Sequence, residues 1–73
     1  MDKKRLTKRQ WEYIWGMSNY FLQNDQFPAS QVLSVIVGST HNAAAEMYRR
    51  LERYGIVAHN AAGKYKRGPK WPL

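Results

Sequence analysis

Apolar side chains recur at helical spacing along the first third of the chain. Between Lys8 and Gln23, one helical face would collect Trp11, Ile14, Trp15, Ser18, Phe21 and Leu22. This spacing predicts an amphipathic helix over about residues 8–23 that packs the stripe into the core. Thr7 and Gln10 match a capping box at its start, and the preceding Leu6 can staple onto Trp11.

A shorter apolar stretch begins after Pro28, a residue that suits the first turn of a helix. Its apolar positions follow the helical period and predict a second helix over about 29–37, with buried Val32, Leu33, Ile36 and Val37. The valines make a strand the rival interpretation by propensity. Gly16, in the middle of the first helix, costs about 1 kcal/mol against alanine and indicates that a neighbouring element packs close to it.

Gly38 predicts a left-handed stop for the second helix, and Ser39 or Thr40 can cap the next one. The third helix is expected over about 41–54, where Gly55 ends it. Its buried face is predicted to hold Ala44, either Met47 or Tyr48, and Leu51.

The remaining residues predict a small β-hairpin over about 56–67. Residues 56–58 form one apolar strand with Ile56 inward, residues 60–63 are turn material, and residues 64–66 alternate as a half-exposed strand does. The expected fold is therefore mainly α with a small β-hairpin, in one domain over 7–71. Residues 1–6 are expected to be a flexible basic arm.

Composition narrows the function classes. The chain of 73 residues carries 12 Lys and Arg against 5 Asp and Glu, a net charge of +7, which is typical of a nucleic-acid partner. It has no cysteine, which excludes disulfides and thiolate zinc sites and suits a reducing, cytoplasmic, nucleoid-associated setting. The longest apolar run, 32–37, is far shorter than the about 20 residues of a membrane span.

Groups that could carry catalysis are not evident in the sequence. His41 and His59 have no paired carboxylates and no nucleophile at a useful spacing. We therefore expect no enzymatic activity, no metal and no cofactor.

The order of elements resembles a winged helix-turn-helix domain of the small bacterial, plasmid or phage regulator type. The best markers are the turn at Gly38–Thr40, then Ala44 and Tyr48, and the exit Leu51–Val57. In size the chain is similar to PapI/FaeA-like pilus regulators, and in its central stretch to the DNA-binding lobe of MarR-type proteins. The resemblance implies three helices plus a wing, and a short first strand at Phe27.

The resemblance also implies that the third helix enters the major groove of duplex DNA. Its DNA-facing positions would be Ser39, Thr40, His41, Asn42, Ala45, Glu46, Arg49 and Arg53. Chemistry supports part of this set, because asparagine can read adenine, arginine can read guanine and glutamate can accept from cytosine. The hairpin, as the wing, would bring Lys64, Lys66 and Arg67 to the phosphates, with Lys70 behind them.

Several of these residues have a plainer role open to them. Glu46 lies three residues before Arg49 and four before Arg50, so it can form a surface ion pair with either. His41 can simply begin the helix, and the lysines of the hairpin can guard a solvated edge strand. Tyr65 and Trp71 are expected to pack the hairpin onto the first helix; exposed, they would instead stack on single strands.

The leading hypothesis is a sequence-specific regulator of transcription that binds double-stranded DNA. Lys3, Lys4 and Arg5 of the arm, with Lys8 and Arg9, would help to clamp the DNA backbone; alternatively, the arm is a free tail. One alternative is a protein-interaction module of phage or plasmid origin that binds a host protein; another is a binder of single strands or RNA. Since one helix reads few base pairs, specificity would need a weak dimer, tandem binding or a partner regulator.

Overall fold

The structure, a computed structural model, describes residues 6–73. These residues form three helices, α1 (Lys8–Asn24), α2 (Ser30–Val37) and α3 (His41–Arg53), followed by strands β1 (Val57–His59) and β2 (Tyr65–Arg67). The strands pair antiparallel in a hairpin, so the predicted fold class, mainly α with a small β-hairpin, is confirmed. The predicted arm lies outside the described residues except for Leu6.

The start of α1 has the predicted capping box. The Thr7 hydroxyl accepts a hydrogen bond from the Gln10 amide at 3.1 Å, and the Gln10 side chain accepts one from the Thr7 amide at 2.9 Å. The helix ends at Asp25, whose left-handed backbone (φ 59°) lets its amide donate to the Phe21 carbonyl. Both ends of α1 are therefore fixed by local chemistry.

The buried face of α1 differs from the predicted stripe. Tyr13, Ile14 and Met17 are in the core, whereas Trp15 and Leu22 are exposed, so their predicted burial is wrong. The true face is rotated by about one residue, or roughly 100°. Aromatic residues occur on several sides of α1, so helical periodicity alone does not select the face that meets the other elements.

A close crossing of α1 and α2 at Gly16 explains this rotation. A Cβ on Gly16 would lie 3.1 Å from Ile36 Cγ2 and 3.2 Å from Val37 Cγ1, which fits the predicted close approach. On α2, Leu33 and Ser34 are buried, while Val32 and Ile36 stay substantially exposed, so the prediction of their burial is wrong.

Ser34 can be buried because its hydroxyl donates to the carbonyl of Gln31 at 2.6 Å. That bond satisfies the polar group within the helix. The strongly apolar α2 thus buries a serine while it leaves valines in contact with solvent.

The turn between α2 and α3 agrees with the sequence. Gly38 is left-handed (φ 73°), and the Thr40 hydroxyl caps α3 by accepting from the Ala43 amide at 3.1 Å. The face of α3 that packs on the core presents Ala44, Tyr48 and Leu51, as predicted.

The hairpin begins one residue later than expected. Ile56 precedes β1 and is buried, and the register pairs Val57 with Arg67, Ala58 with Lys66 and His59 with Tyr65. The side chain of Asn60 organises the turn by accepting from the amides of Ala62 and Lys64. Such a side-chain bond is the reason asparagine favours turns.

Phe27 does not lie in a strand, because the sheet of residues 6–73 consists of β1 and β2. It is buried in the loop that connects α1 and α2, with its ring 5.6 Å from that of Phe21 and 5.3 Å from that of Trp71. The residue is in the core as predicted, but the short first strand expected there is not formed.

The end of α3 is tied to the end of the hairpin through backbone bonds. Gly68 donates to the Ile56 carbonyl at 2.8 Å, and Lys70 donates to the Gly55 carbonyl at 2.9 Å. A Cβ on Gly68 would collide with the Gly55 carbonyl. The backbone segments at these two glycines are therefore too close for a side chain at position 68.

Candidate nucleic-acid interface

The polar flank of α3 faces solvent, opposite the face that packs on the core. Asn42, Glu46, Arg49 and Arg53 are all exposed, and Ala45 is half-buried at the edge of this flank. Helical geometry aligns them because they recur at spacings of three and four residues. The structure therefore brings five of the candidate residues onto one outward surface.

Arg49 and Glu46 are paired on this surface. Arg49 Nη2 donates to Glu46 Oε1 at 2.8 Å, and both side chains are more than half exposed. The hydrogen bond and charge of Arg49 lower the pKa of the Glu46 carboxyl. Of the two ion-pair partners open to Glu46 in the sequence, the structure selects Arg49.

The first turn of α3 has local partners. The Thr40 hydroxyl is used as the cap, the Ser39 hydroxyl donates to the Thr40 carbonyl at 3.4 Å, and His41 Nε2 is hydrogen-bonded to Ser30 Oγ at 2.9 Å. His41 thus links the start of α3 to the start of α2. The observed contact of His41 is therefore one within the fold, at the start of the helix.

Tyr65 packs the hairpin onto α3. The Tyr65 ring stacks on the Tyr48 ring with centroids 3.9 Å apart and planes within 1°. The prediction that Tyr65 packs onto the first helix is therefore wrong. Trp71, which was expected there too, lies against Phe27 in the loop after α1. A pattern of alternating residues identifies the inner face of a strand but not the element that this face meets.

A second contact between α3 and the hairpin was not evident in the sequence. His59 Nδ1 is 2.7 Å from Glu52 Oε2, and the His59 ring lies 4.2 Å from the Tyr65 ring. The two residues are seven apart on different elements, so no spacing rule links them. Together with the Tyr48–Tyr65 stack, this contact fixes the hairpin beside the outward flank of α3.

Charged residues of α3 also act electrostatically on Tyr65. Burial raises the pKa of the Tyr65 phenol, the nearby Glu52 raises it further, and the positive charge of Arg49 lowers it. Arg49 directly follows Tyr48, the residue on whose ring Tyr65 stacks. The flank of α3 and the hairpin form neighbouring parts of one surface.

The cations of the hairpin do not all face the same way. Lys64 and Lys66 are exposed, and Lys66 points to the side of the strand opposite Tyr65. Arg67 is on the inner side, where its guanidinium lies 5.1 Å from the centre of the Phe21 ring. Arg67 thus has a cation–π partner on α1, while both lysines are open to solvent.

Four candidate residues keep their polar groups available. Among the candidate residues, the exposed polar side chains for which the described chain shows no hydrogen bond, ion pair or ring contact are those of Asn42, Arg53, Lys64 and Lys66. Of the cations expected to clamp the backbone, Lys3, Lys4 and Arg5 lie outside the described residues, Lys8 is exposed, and Arg9 forms an ion pair with Glu12.

The aromatic side chains considered as stacking platforms for single strands differ in accessibility. Tyr65 is covered by Tyr48 and His59, and Trp71 is half-buried against Phe27. Trp15 remains exposed on α1, where it neighbours Trp11. Of these three aromatic side chains, Trp15 is therefore the one open to stacking, and it lies away from α3. Binding of a single strand uses several exposed rings along a groove, so this arrangement is a poor match.

Residues 6–73 contain no group of three or more His, Cys, Asp or Glu side chains that could hold a metal ion. Within the same part of the chain, no helix has the length and apolar character to cross a bilayer. No family model matches the sequence, and no curated protein or solved structure matches it either.

Proposed function

We propose that this protein is a sequence-specific regulator that binds duplex DNA, with α3 in the major groove and the hairpin on the phosphates. The observation that carries the proposal is the fixed placement of the hairpin beside the outward flank of α3, through the Tyr48–Tyr65 stack and the Glu52–His59 contact. A rigid pairing of this kind lets one polyanion meet both elements without a further ordering cost.

Each part of the surface has a chemical role in the proposal. Asn42 and Arg49 reach base edges, where asparagine recognises adenine and arginine recognises guanine. Lys64 and Lys66 neutralise phosphates and supply affinity that does not depend on sequence. Arg53, near the end of α3, faces the backbone.

The ion pair between Glu46 and Arg49 adds a condition to base reading. Arg49 must leave the carboxylate, or Glu46 must accept a hydrogen bond from a cytosine amine while Arg49 reads the neighbouring guanine. The exposed pair is weak in water, so the DNA contact can replace it at small cost.

Binding to duplex DNA is tested by titrating labelled mixed-sequence duplex over a range of salt concentrations. We expect measurable binding at low salt and a steep loss as salt rises, because counterions are released from the phosphates. The absence of binding at low salt would end the proposal. Selection from random duplexes then gives the preferred site.

The role of Arg49 has a matched control on the same helix. Arg49→Ala should weaken binding to the selected site by about 1–3 kcal/mol. Arg50→Ala removes the same charge from the adjacent position, which points about 100° away, and should cost much less. Equal losses in the two variants would mean that charge alone, and not base reading, is at work.

Lys66→Ala tests the hairpin separately. Its loss should weaken binding to selected and random duplexes by the same factor and reduce the salt slope by about 1. A loss confined to the selected site would instead assign Lys66 to base reading.

A protein-binding module remains the second candidate function. The observation that favours it is the intramolecular engagement of Arg49 by Glu46 and of Arg67 by Phe21, which lowers the number of cations open to a polyanion. An apolar protein interface would tolerate salt that abolishes DNA binding, so the same titration separates the two functions.

A further inference from the structure

A carboxylate lies among positive charges on the outward flank of α3. Glu46 shares this flank with Asn42, Arg49 and Arg53, and its side chain is 52% exposed. The hydrogen bond from Arg49 lowers the pKa of its carboxyl most, and the charges of Arg49, Arg50 and Arg53 lower it further. The group is therefore ionised at neutral pH, on the surface assigned to a polyanion.

An acid at this place weakens binding to most duplexes. Phosphates repel it, and so do the acceptors that guanine and thymine present in the major groove. Adenine presents an amine there beside its N7 acceptor, whereas cytosine presents its N4 amine alone. Glu46 therefore disfavours the other bases more than cytosine, and an unfavourable contact of this kind gives selectivity.

The pair of Glu46 and Arg49 has the spacing of one base pair. Arg49 Nη2 and Glu46 Oε1 lie 2.8 Å apart, a donor beside an acceptor. In a G·C pair, guanine O6 and cytosine N4 lie about 2.9 Å apart, an acceptor beside a donor. The two protein atoms and the two base atoms therefore match in spacing and are complementary in their hydrogen-bonding roles.

The ion pair leaves Arg49 free to bind a base as well. A guanidinium has five N–H donors, and the hydrogen bond to Glu46 uses one of them. The remaining donors can form the bidentate contact with guanine O6 and N7. Arg49 can therefore bind guanine while it stays on the carboxylate, and the exclusion of water from the groove would strengthen the pair.

We propose that Glu46 and Arg49 read a single G·C base pair as one unit, with Arg49 on the guanine and Glu46 on the N4 amine of the paired cytosine. This inference rests on the proposed function, because it concerns the base edges that α3 meets in the groove. It adds the identity of the ligand, which is a duplex site with a fixed G·C pair beneath the outward flank. In the rival arrangement, Arg49 leaves Glu46 and binds guanine alone.

Base analogues test the proposal with the wild-type protein. Each base pair of the site selected from random duplexes is replaced in turn, and we expect one G·C pair whose loss weakens binding by about tenfold to a hundredfold. At that pair, 7-deazaguanine, which lacks the N7 acceptor, should weaken binding. N4-methylcytosine should weaken it too, because its methyl group replaces the amine hydrogen that faces the groove. Inosine lacks the minor-groove amine of guanine and should bind about as well as guanine does.

Glu46→Gln distinguishes the unit from Arg49 alone. The amide keeps the size of the side chain and removes its charge, so binding to random duplexes should tighten. The preference for G·C at the sensitive position should fall by about fivefold or more. Glu12→Gln is the matched control, because Glu12 pairs with Arg9 at 2.7 Å at the same spacing of three residues, but on α1. It changes the net charge equally and should leave every base preference unaltered.

The outcomes separate this inference from the proposed function. If the wild type binds no duplex at low salt, both are overturned. If it binds a preferred site and Glu46→Gln keeps the same G·C preference, or N4-methylcytosine is tolerated there, the inference is overturned and the proposed function stands. A preferred site without a sensitive G·C pair overturns the inference equally. The analogues need no variant, so their result does not depend on the folding of Glu46→Gln.

Discussion

Tyr48 joins more parts of the structure than any neighbouring side chain on α3. Its ring is buried in the core, its hydroxyl donates to the Pro28 carbonyl at 2.6 Å, and its face stacks on Tyr65. The same residue thus anchors the loop before α2 and the hairpin after α3. Burial raises the pKa of its phenol above the ordinary 10.0, and Tyr65 adds to this effect.

We expect Tyr48→Phe to lower the stability of the fold at neutral pH and to make that stability less dependent on alkaline pH. At neutral pH the Pro28 carbonyl loses its donor, which costs about 0.5–1.5 kcal/mol. In the wild type, the folded chain keeps the phenol proton above pH 10 while the unfolded chain releases it, so stability is full below that pH and falls as pH rises beyond it. In Tyr48→Phe, most of this decrease in stability at alkaline pH should be absent.

The measurement is urea unfolding at neutral pH and at about pH 11. Tyr20→Phe is the control, because the Tyr20 hydroxyl has no hydrogen bond with another residue of the described chain. Equal alkaline losses in the wild type and Tyr48→Phe would show that another group is responsible.

At the scale of elements, the hairpin depends on α3 for its position. Two strands of three residues are too short to be stable alone in water. The inner side of the hairpin, with His59 and Tyr65, packs on Glu52 and Tyr48. The docking of the hairpin is therefore a tertiary interaction that one substitution can weaken.

Tyr65→Ser removes both aromatic contacts, and we expect it to lower the free energy of unfolding by about 1–3 kcal/mol. Tyr65→Phe keeps the ring and should stay within about 0.5 kcal/mol of the wild type. Thermal unfolding gives the stability, and amide hydrogen exchange over residues 57–67 gives the docking. If exchange in the hairpin is the same in both variants, the stack does not hold it in place.

The helices could be predicted from sequence because their ends carry local signals. Thr7 with Gln10, Gly38 and Thr40 each act within one turn of chain, and all behave as expected. The burial of α2 could not be predicted in the same way. With apolar side chains on most of its sides, period 3.6 leaves several faces equivalent, and the crossing with α1 at Gly16 decides among them.

The candidate site shows the same division between local and tertiary information. The outward flank of α3 follows from helical spacing. The same spacing allowed Glu46 to pair with either Arg49 or Arg50. The partners of Arg67 and His59 come from α1 and α3, at sequence separations that no motif encodes. Sequence therefore predicts which residues are exposed on one helix better than it predicts which cations remain unpaired.

For the molecule as a whole, the C-terminal segment closes the fold. After β2 the chain returns to Gly55 through the Lys70 amide, and Trp71 packs on Phe27. Phe27 in turn contacts Phe21 of α1. The first helix and the last residues of the described chain are thus joined through an aromatic cluster.

Truncation of Trp71 should destabilise the fold more than truncation of Trp15. Trp71→Ala removes a half-buried ring from this cluster and is expected to cost about 1–3 kcal/mol of unfolding free energy. Trp15→Ala removes a side chain that is 52% exposed and should change stability by less than about 0.5 kcal/mol. Both are read by chemical unfolding followed by circular dichroism. A larger loss for Trp15 would place the core on the other side of α1.

The turn of the hairpin makes its hydrogen bonds within itself. Residues 60–63 are all exposed, while the base of the hairpin is clamped at one end by α3 and at the other by the backbone bonds of Gly68 and Lys70. Insertions or deletions at the tip would therefore leave the frame intact and alter how far Lys64 extends. The length of this turn can therefore change the area that the hairpin covers on a partner while the packing of the core stays the same.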